Sequence, residues 1–263
     1  MQIILGACAF IAGLIIGSFA NVVIYRVPRN LSIIRPRSKC PSCDAPVKAY
    51  DNIPVLSFLI LGGKCRNCGK PISWRYPLTE ITNGLLYVLA YYICIYKAQN
   101  PGLFLVSIYL STVFLITFLI DYDFKIIPDS LSISGIIIGF GVSFVPGLTI
   151  GPLQSGIGIL AGGLLFLVIA ELGDRIFKKE SMGGGDVKLA AMLGAFVGWK
   201  GIFLVLCLAS LLGTIIGLTN LALAKDKQAA HTVPFGPFLV TAGLITFYRG
   251  HQLIAAYLKL VGF

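Results

Sequence analysis

An all-α polytopic membrane fold of about eight transmembrane helices, carrying one small polar insertion, is predicted by two observations. Apolar runs long enough to cross a bilayer recur along the chain. A single polar stretch, from Arg26 to Trp74, interrupts them. The composition agrees: 57% of the 263 residues are hydrophobic, 12% are charged and the mean hydropathy is +0.88, which excludes an ordinary soluble domain. In lipid every backbone polar group must be satisfied internally, so only helices and closed barrels span, and these runs are too long and continuous for barrel strands.

Taken in order, the first run is Ile3 to Ile24. Its basic residues follow the apolar core instead of preceding it, so it is expected to be a retained helix and not a secretory signal. Residues 1–25 are therefore the first transmembrane helix, 26–77 a loop domain and 78–263 a second membrane domain. The remaining spans are expected at Leu78 to Tyr96, Leu103 to Ile120, Leu131 to Val145, Ile157 to Ala170, Val187 to Val197, Phe203 to Leu223 and Phe235 to Leu258.

Cytoplasmic loops accumulate Lys and Arg. With Met1 outside, only Lys97, Lys200, Arg249 and Lys259 of the 21 basic residues face outward, and all 11 acids fall on or near the cytoplasmic face. Charged chemistry is thus expected on that side. The net charge of +10 lies mostly in loops beside apolar spans, where anionic headgroups account for it. The bilayer, and no nucleic acid, is the expected partner.

The insertion holds Cys40 and Cys43 in CPSC, then Cys65 and Cys68 in CRNC, with 21 residues between the pairs. Two CxxC turns can aim four thiolates at one Zn²⁺, and a closed set of four cysteine ligands holds a loop together without catalysis. Disulfides are the competing reading; a reducing cytoplasm favours the metal. Hence the insertion is expected to be a small zinc-binding cytoplasmic domain. Cys8, Cys94 and Cys207 lie in separate apolar helices and are given no role.

Two segments place carboxylates beside lipid, where they are costly and mark function by default. FLIDYDFKIIPD carries Asp121, Asp123 and Asp129 after the third span; marking the membrane boundary is the plain alternative for Asp123 and Asp129. MGGGDVKLAAMLGAFVG carries Asp186 behind Gly183, Gly184 and Gly185, opening a helix rich in small residues that permit close helix approach. Two carboxylates brought together share a proton, so one can activate water while the other protonates a leaving amine. That is aspartyl protease chemistry. His231 and His251 are read as incidental.

Together GSFANVVIYRVPR, the CxxC pairs, NIPVLSFLILGGKC, ISWRYPLTE, DYDFKIIPD, GGGDVKLAAMLGAFVGW and PFGPFL resemble the bacterial prepilin peptidases. These are membrane GxGD-type aspartyl proteases that process type IV prepilins and the pseudopilins of type II secretion. The resemblance implies that residues 78–263 form the peptidase domain. Its catalytic aspartates fall on Asp121, the first acid of the DxDxxxxPD run, and on Asp186 of the GxGD motif.

It further implies cleavage after the Gly that ends a short basic leader, and methylation of the new amino terminus from S-adenosylmethionine. Glu80 in YPLTE is the candidate for methyl transfer; a helix-start carboxylate favoured by the dipole is the alternative. No Gly-rich fingerprint follows a strand, so a donor site of the Rossmann type is not expected. Asp123, Asp129, Glu171, Asp174 and Glu180 are available to pair with a basic leader, though interfacial solvation accounts for them equally.

The location implied is the bacterial cytoplasmic membrane, with the active face inward. An ion-coupled transporter is the first competitor, since membrane acids and glycine-broken helices also mark ion pathways, but these acids crowd one face instead of the mid-bilayer. A noncatalytic pilus or secretion assembly factor is the second.

Overall fold

The computed structural model describes residues 1–178, 182–223 and 234–261. Lys179, Glu180, Lys225, Lys227 and His231 lie outside them. Among the described residues the regular structure is helical, and only two isolated bridges, Lys39 with Pro46 and Lys64 with Pro71, pair extended segments. The helices are α1 (Gln2–Arg26), α2 (Leu56–Ile60), α3 (Arg75–Ala90), α4 (Pro101–Phe124), α5 (Asp129–Val142), α6 (Pro152–Phe177), α7 (Gly184–Leu223) and α8 (Gly236–Val261); α3 continues as a π-helical stretch, Tyr91–Lys97.

Five of these segments are long and apolar enough to cross a membrane: Gln2–Arg29, Arg75–Lys97, Pro101–Phe124, Pro152–Ile176 and Gly184–Leu223. Many of their Leu and Ile side chains are exposed, including Ile3, Ile11, Ile15, Leu160, Leu164 and Leu218. In water such surfaces would aggregate; in a bilayer they are the lipid-facing side. The chain is a membrane protein. Each of its eight expected apolar runs centres on a helix, and α7 holds two of them.

At 40 residues α7 would be about 60 Å long if straight, twice the hydrocarbon thickness. It bends at Gly198, whose φ of +72° and ψ of 179° only glycine adopts readily. Elsewhere the helices outrun the expected spans: α6 carries on through Glu171 and Asp174, and α4 through Asp121 to Phe124. Hydropathy marks where lipid ends, whereas a helix continues until its backbone is capped. For α4 the cap is Lys125, at φ +55°, whose N–H donates to the Asp121 carbonyl at 2.9 Å.

The chain divides into two compact units, Met1–Ile116 and Thr117–Phe263. In the first, α1 packs on α3 through Gly13 and Gly17. A Cβ at Gly13 would lie 2.7 Å from the Gly84 Cα, and one at Gly17 2.8 Å from the Glu80 Cα. Asn83 ties this pair together: its Nδ2 donates to the Gly13 carbonyl at 2.8 Å, while its Oδ1 accepts from Thr112 on α4 at 3.2 Å. Cys94 is buried against Ser107, whereas Cys8 and Cys207 are exposed on lipid-facing surfaces.

In the second unit α7 is central, touching α5, α6 and α8. Its residues Leu189 to Phe196 are all buried. Gly158 and Gly162 of α6 press onto Gly194 and Ala190 of α7 so closely that a Cβ at either would strike the facing carbonyl. Ser155 adds a buried hydrogen bond to the Ala195 carbonyl at 2.8 Å. This packing fixes where the start of α7 sits.

Candidate active site and four-cysteine centre

In the second unit three chain segments meet at one end of the bundle. Asp121 occupies the last turn of α4, 6% exposed. Its Oδ2 accepts a buried hydrogen bond from the Gly236 N–H, the first residue of α8, at 2.9 Å. A Cβ at Gly236 would land on that carboxylate oxygen, so any side chain there would have to displace it.

Asp186 occupies the first turn of α7. The Gly183 carbonyl accepts its N–H at 3.0 Å, and Gly185 lets this turn lie against Ile127: a Cβ at 185 would sit 2.9 Å from the Ile127 Cβ. Ile127 also reaches the start of α8, with its Cδ1 3.3 Å from where a Gly236 Cβ would stand. One linker residue therefore gathers both helix starts around Asp121.

Ile127 lies against Gly185, the neighbour of Asp186, and against Gly236, which holds Asp121, so the two acid-bearing turns come to one place. The Oδ1 of Asp186 is closed off from solvent and has no hydrogen-bond partner among the described residues. A buried unpartnered acceptor is costly in a purely structural role. At a site that must bind a reacting group it is an open coordination point.

Of the other acids, Asp129 at the start of α5 pairs with Lys188, one turn into α7, at 2.7 Å. Glu171 pairs with Arg175 along α6 at 2.8 Å. Asp123 is exposed on the same turn as the α4 cap. Sequence reasoning gives Gly236 and Ile127 no role. PFGPFL, a glycine between prolines just before an apolar run, is the available signal for Gly236; nothing local marks Ile127.

The first unit holds the four cysteines. Their Sγ atoms all lie within 4.8 Å of one another, and those of Cys40 and Cys68 are 4.0 Å apart. A tetrahedral zinc site with four thiolates requires sulfur separations of about 3.8 Å, so the set fits a metal ion. The two halves repeat one design, Lys-Cys-x-x-Cys-x-x-Pro. In each the first Cys N–H donates to the carbonyl five residues on, Cys40 to Ala45 and Cys65 to Lys70, both at 2.9 Å, and the chain turns through a left-handed residue, Asp44 or Gly69.

Electrostatics fit a cation as well. The backbone N–H groups of Cys68 and Asn67 draw the Cys65 thiol down to about 7. The Ala45 N–H and the Asn67 side chain hold Cys43 below the usual thiol range. At Cys68 the Lys70 N–H acts in the same sense, yet desolvation and the neighbouring cysteines push it up to about 11. Four thiolates cannot share this volume without a compensating positive charge, which a divalent metal would supply. Arg66 braces the second turn with a two-pronged bond to Asp51, at 2.7 and 2.9 Å.

Glu80 sits in the second turn of α3, in the first unit, where its Oε2 accepts the Val55 N–H at 2.7 Å.

Residues 11–94 match the bacterial peptidase A24 N-terminal domain, and residues 108–218 match the type IV leader peptidase family. Over 97% of its length the chain is 34% identical to 94% of a protein from Pseudomonas putida named prepilin leader peptidase/N-methyltransferase. The chain belongs to the type IV leader peptidase family.

A relative of the same name from Stutzerimonas stutzeri is 34% identical over 96% of this chain and 93% of its own. One from Myxococcus xanthus is 41% identical over 85% of this chain, which spans 65% of that protein's length. No solved structure matches the chain. Within the family's two matched regions fall the four-cysteine centre and Glu80 in the first, and Asp121 and Asp186 in the second.

Proposed function

We propose that this chain is a bifunctional prepilin leader peptidase and N-methyltransferase whose peptidase dyad is Asp121 and Asp186. The observation that carries the reading is the meeting of a buried and a half-buried carboxylate from sequence-distant segments, one held by a backbone N–H and the other with a bare, solvent-closed oxygen. Family membership and the names of the relatives point to the same chemistry. A transporter is not favoured by either.

In the proposed reaction a prepilin or pseudopilin enters from the lipid, its basic leader staying at the surface. In this scheme Asp121, whose Oδ2 already accepts the Gly236 N–H, is the base, and Asp186 carries the shared proton. Asp121 then draws a proton from the attacking water as it adds to the carbonyl of the leader's final Gly. Asp186 gives its proton to the departing amine. Burial strengthens both transfers by excluding competing water.

The cysteine loop, residues 26–77, would hold Zn²⁺ through Cys40, Cys43, Cys65 and Cys68. With four protein ligands the ion supplies structure and no open position for chemistry. Methylation of the new amino terminus takes its methyl from S-adenosylmethionine. The excess of basic residues on one set of loops supports a position for the dyad and the cysteine loop on the cytoplasmic side of the inner membrane.

The test is product mass after incubation of solubilised protein with a prepilin and S-adenosylmethionine. Wild type is expected to remove the leader and add one methyl group. Asp121→Asn and Asp186→Asn keep size and fold, and each should slow cleavage by about 10³-fold or more. Full cleavage by either variant would remove that residue from the dyad.

A further inference from the structure

Val55 holds a backbone conformation that L-residues avoid, with φ +60° and ψ −49°, immediately before α2. The Leu56 N–H donates to the Pro54 carbonyl across it at 2.5 Å, forming the rare γ-turn with positive φ, which is strained for any residue and more so for a β-branched one. Such a turn persists only where its surroundings over-determine it. Here the constraint is the bond from the Val55 N–H to Glu80 Oε2.

Glu80 itself is 7% exposed, set where α1 presses on α3 beside Gly17, and Ser18 of α1 is a second polar group beside the same carboxylate. With Oε2 given to the Val55 N–H and so little of the side chain exposed, the carboxylate is poorly disposed to meet a ligand. What it does is join the insertion to the membrane helices. Val55 stands between the two cysteine pairs, and α2 behind it carries Phe58, packed on Trp74 with ring centroids 4.8 Å apart. Holding Val55 therefore holds the middle of the cysteine loop at the end of α3.

We propose that Glu80 is a positioning residue, a latch that seats the cysteine-bearing insertion on the α1 and α3 pair through the Val55 N–H, and that it serves methyl transfer by this seating instead of by touching donor or amine. This rests on the bifunctional reading above. Transfer between two bound reactants falls steeply when one is misplaced by about 1 Å, so methylation is the activity exposed to a loosened insertion. Peptide cleavage depends on Asp121 and Asp186, which have their own supports at Gly236 and Ile127, and should be spared.

The experiment compares Glu80→Gln and Glu80→Ala in the full-length, metal-loaded protein, reading cleavage, methylation and amide hydrogen exchange of residues 53–61. Gln keeps an oxygen for Val55 and an NH₂ for Ser18, so it should match wild type within about twofold in all three. Ala should speed exchange of 53–61 and slow methylation, each by about tenfold, with cleavage within about twofold.

Adding Val55→Gly to the Ala variant removes the strain, since glycine takes this φ freely, and should restore at least half of the lost protection. A simple packing defect at Glu80 would not respond to it, and failure to restore overturns the latch. So does retained protection in Glu80→Ala. Loss of methylation in Glu80→Gln with protection intact would make Glu80 a chemical participant and also overturn it. A wild type that does not methylate refutes the bifunctional reading, while the exchange of 53–61 still decides the latch.

Discussion

At the scale of single residues, the proposed dyad depends on a position with no side chain. Gly236 donates its N–H to Asp121 and leaves room for the carboxylate oxygen where a Cβ would stand. Gly236→Ala must push the carboxylate off that donor. Cleavage is expected to fall by about 10²-fold, because a 1 Å displacement of a reacting group costs that much, with substrate affinity and melting temperature little changed. Turnover and thermal unfolding measured side by side check this; an active Ala variant would mean that the bond is incidental. Asp121 and Asp186 are legible as acids beside lipid. The Gly236 contact is not, because the hydrogen bond joins residues 115 positions apart, and nothing local in PFGPFL says which acid it faces.

At the scale of elements, the insertion and α7 show two ways a segment acquires its shape. The insertion buries none of its residues from Val27 to Tyr76, and its two Lys-Cys-x-x-Cys-x-x-Pro turns gather four sulfurs around one point. Small domains of this kind draw their stability from the metal. Addition of a metal chelator, or Cys40→Ser, is therefore expected to raise hydrogen exchange throughout 38–71 while the exchange of α6 and α7 stays as it was. Protection that survives chelation would show that the Arg66–Asp51 and Glu80–Val55 bonds suffice. By contrast, α7 is shaped by its neighbours: the buried run from Leu189 to Phe196 is enclosed by α5, α6 and α8. Its kink at Gly198 is not visible in hydropathy, which shows only two apolar runs with a polar gap at Trp199 and Lys200.

At the scale of the whole molecule, the decisive property is the sidedness of charge. Basic residues cluster in the cysteine loop, and few are found on the opposite set of loops. The expected topology is testable by labelling with a membrane-impermeant maleimide. Ala98→Cys, exposed after α3, should label on intact cells above the unsubstituted protein; Ile34→Cys, 81% exposed in the insertion, should label only after permeabilisation. The reverse pattern would invert the assignment of the active face.

Local sequence is enough to establish the helical membrane architecture, the position of its eight apolar runs and the four clustered cysteines, and it singles out the two acid-bearing segments proposed to form the dyad. Each of these is written in composition or short spacing, since lipid imposes helices on apolar runs and a metal imposes proximity on CxxC pairs. Packing alone reveals that Gly236 holds Asp121, that Ile127 gathers the starts of α7 and α8, and that Glu80 clasps Val55. Those contacts arise where helices cross, and the crossings are set by close approach at Gly13, Gly17, Gly158 and Gly194. A glycine in a sequence shows that close approach is permitted, but only the folded chain shows what approaches.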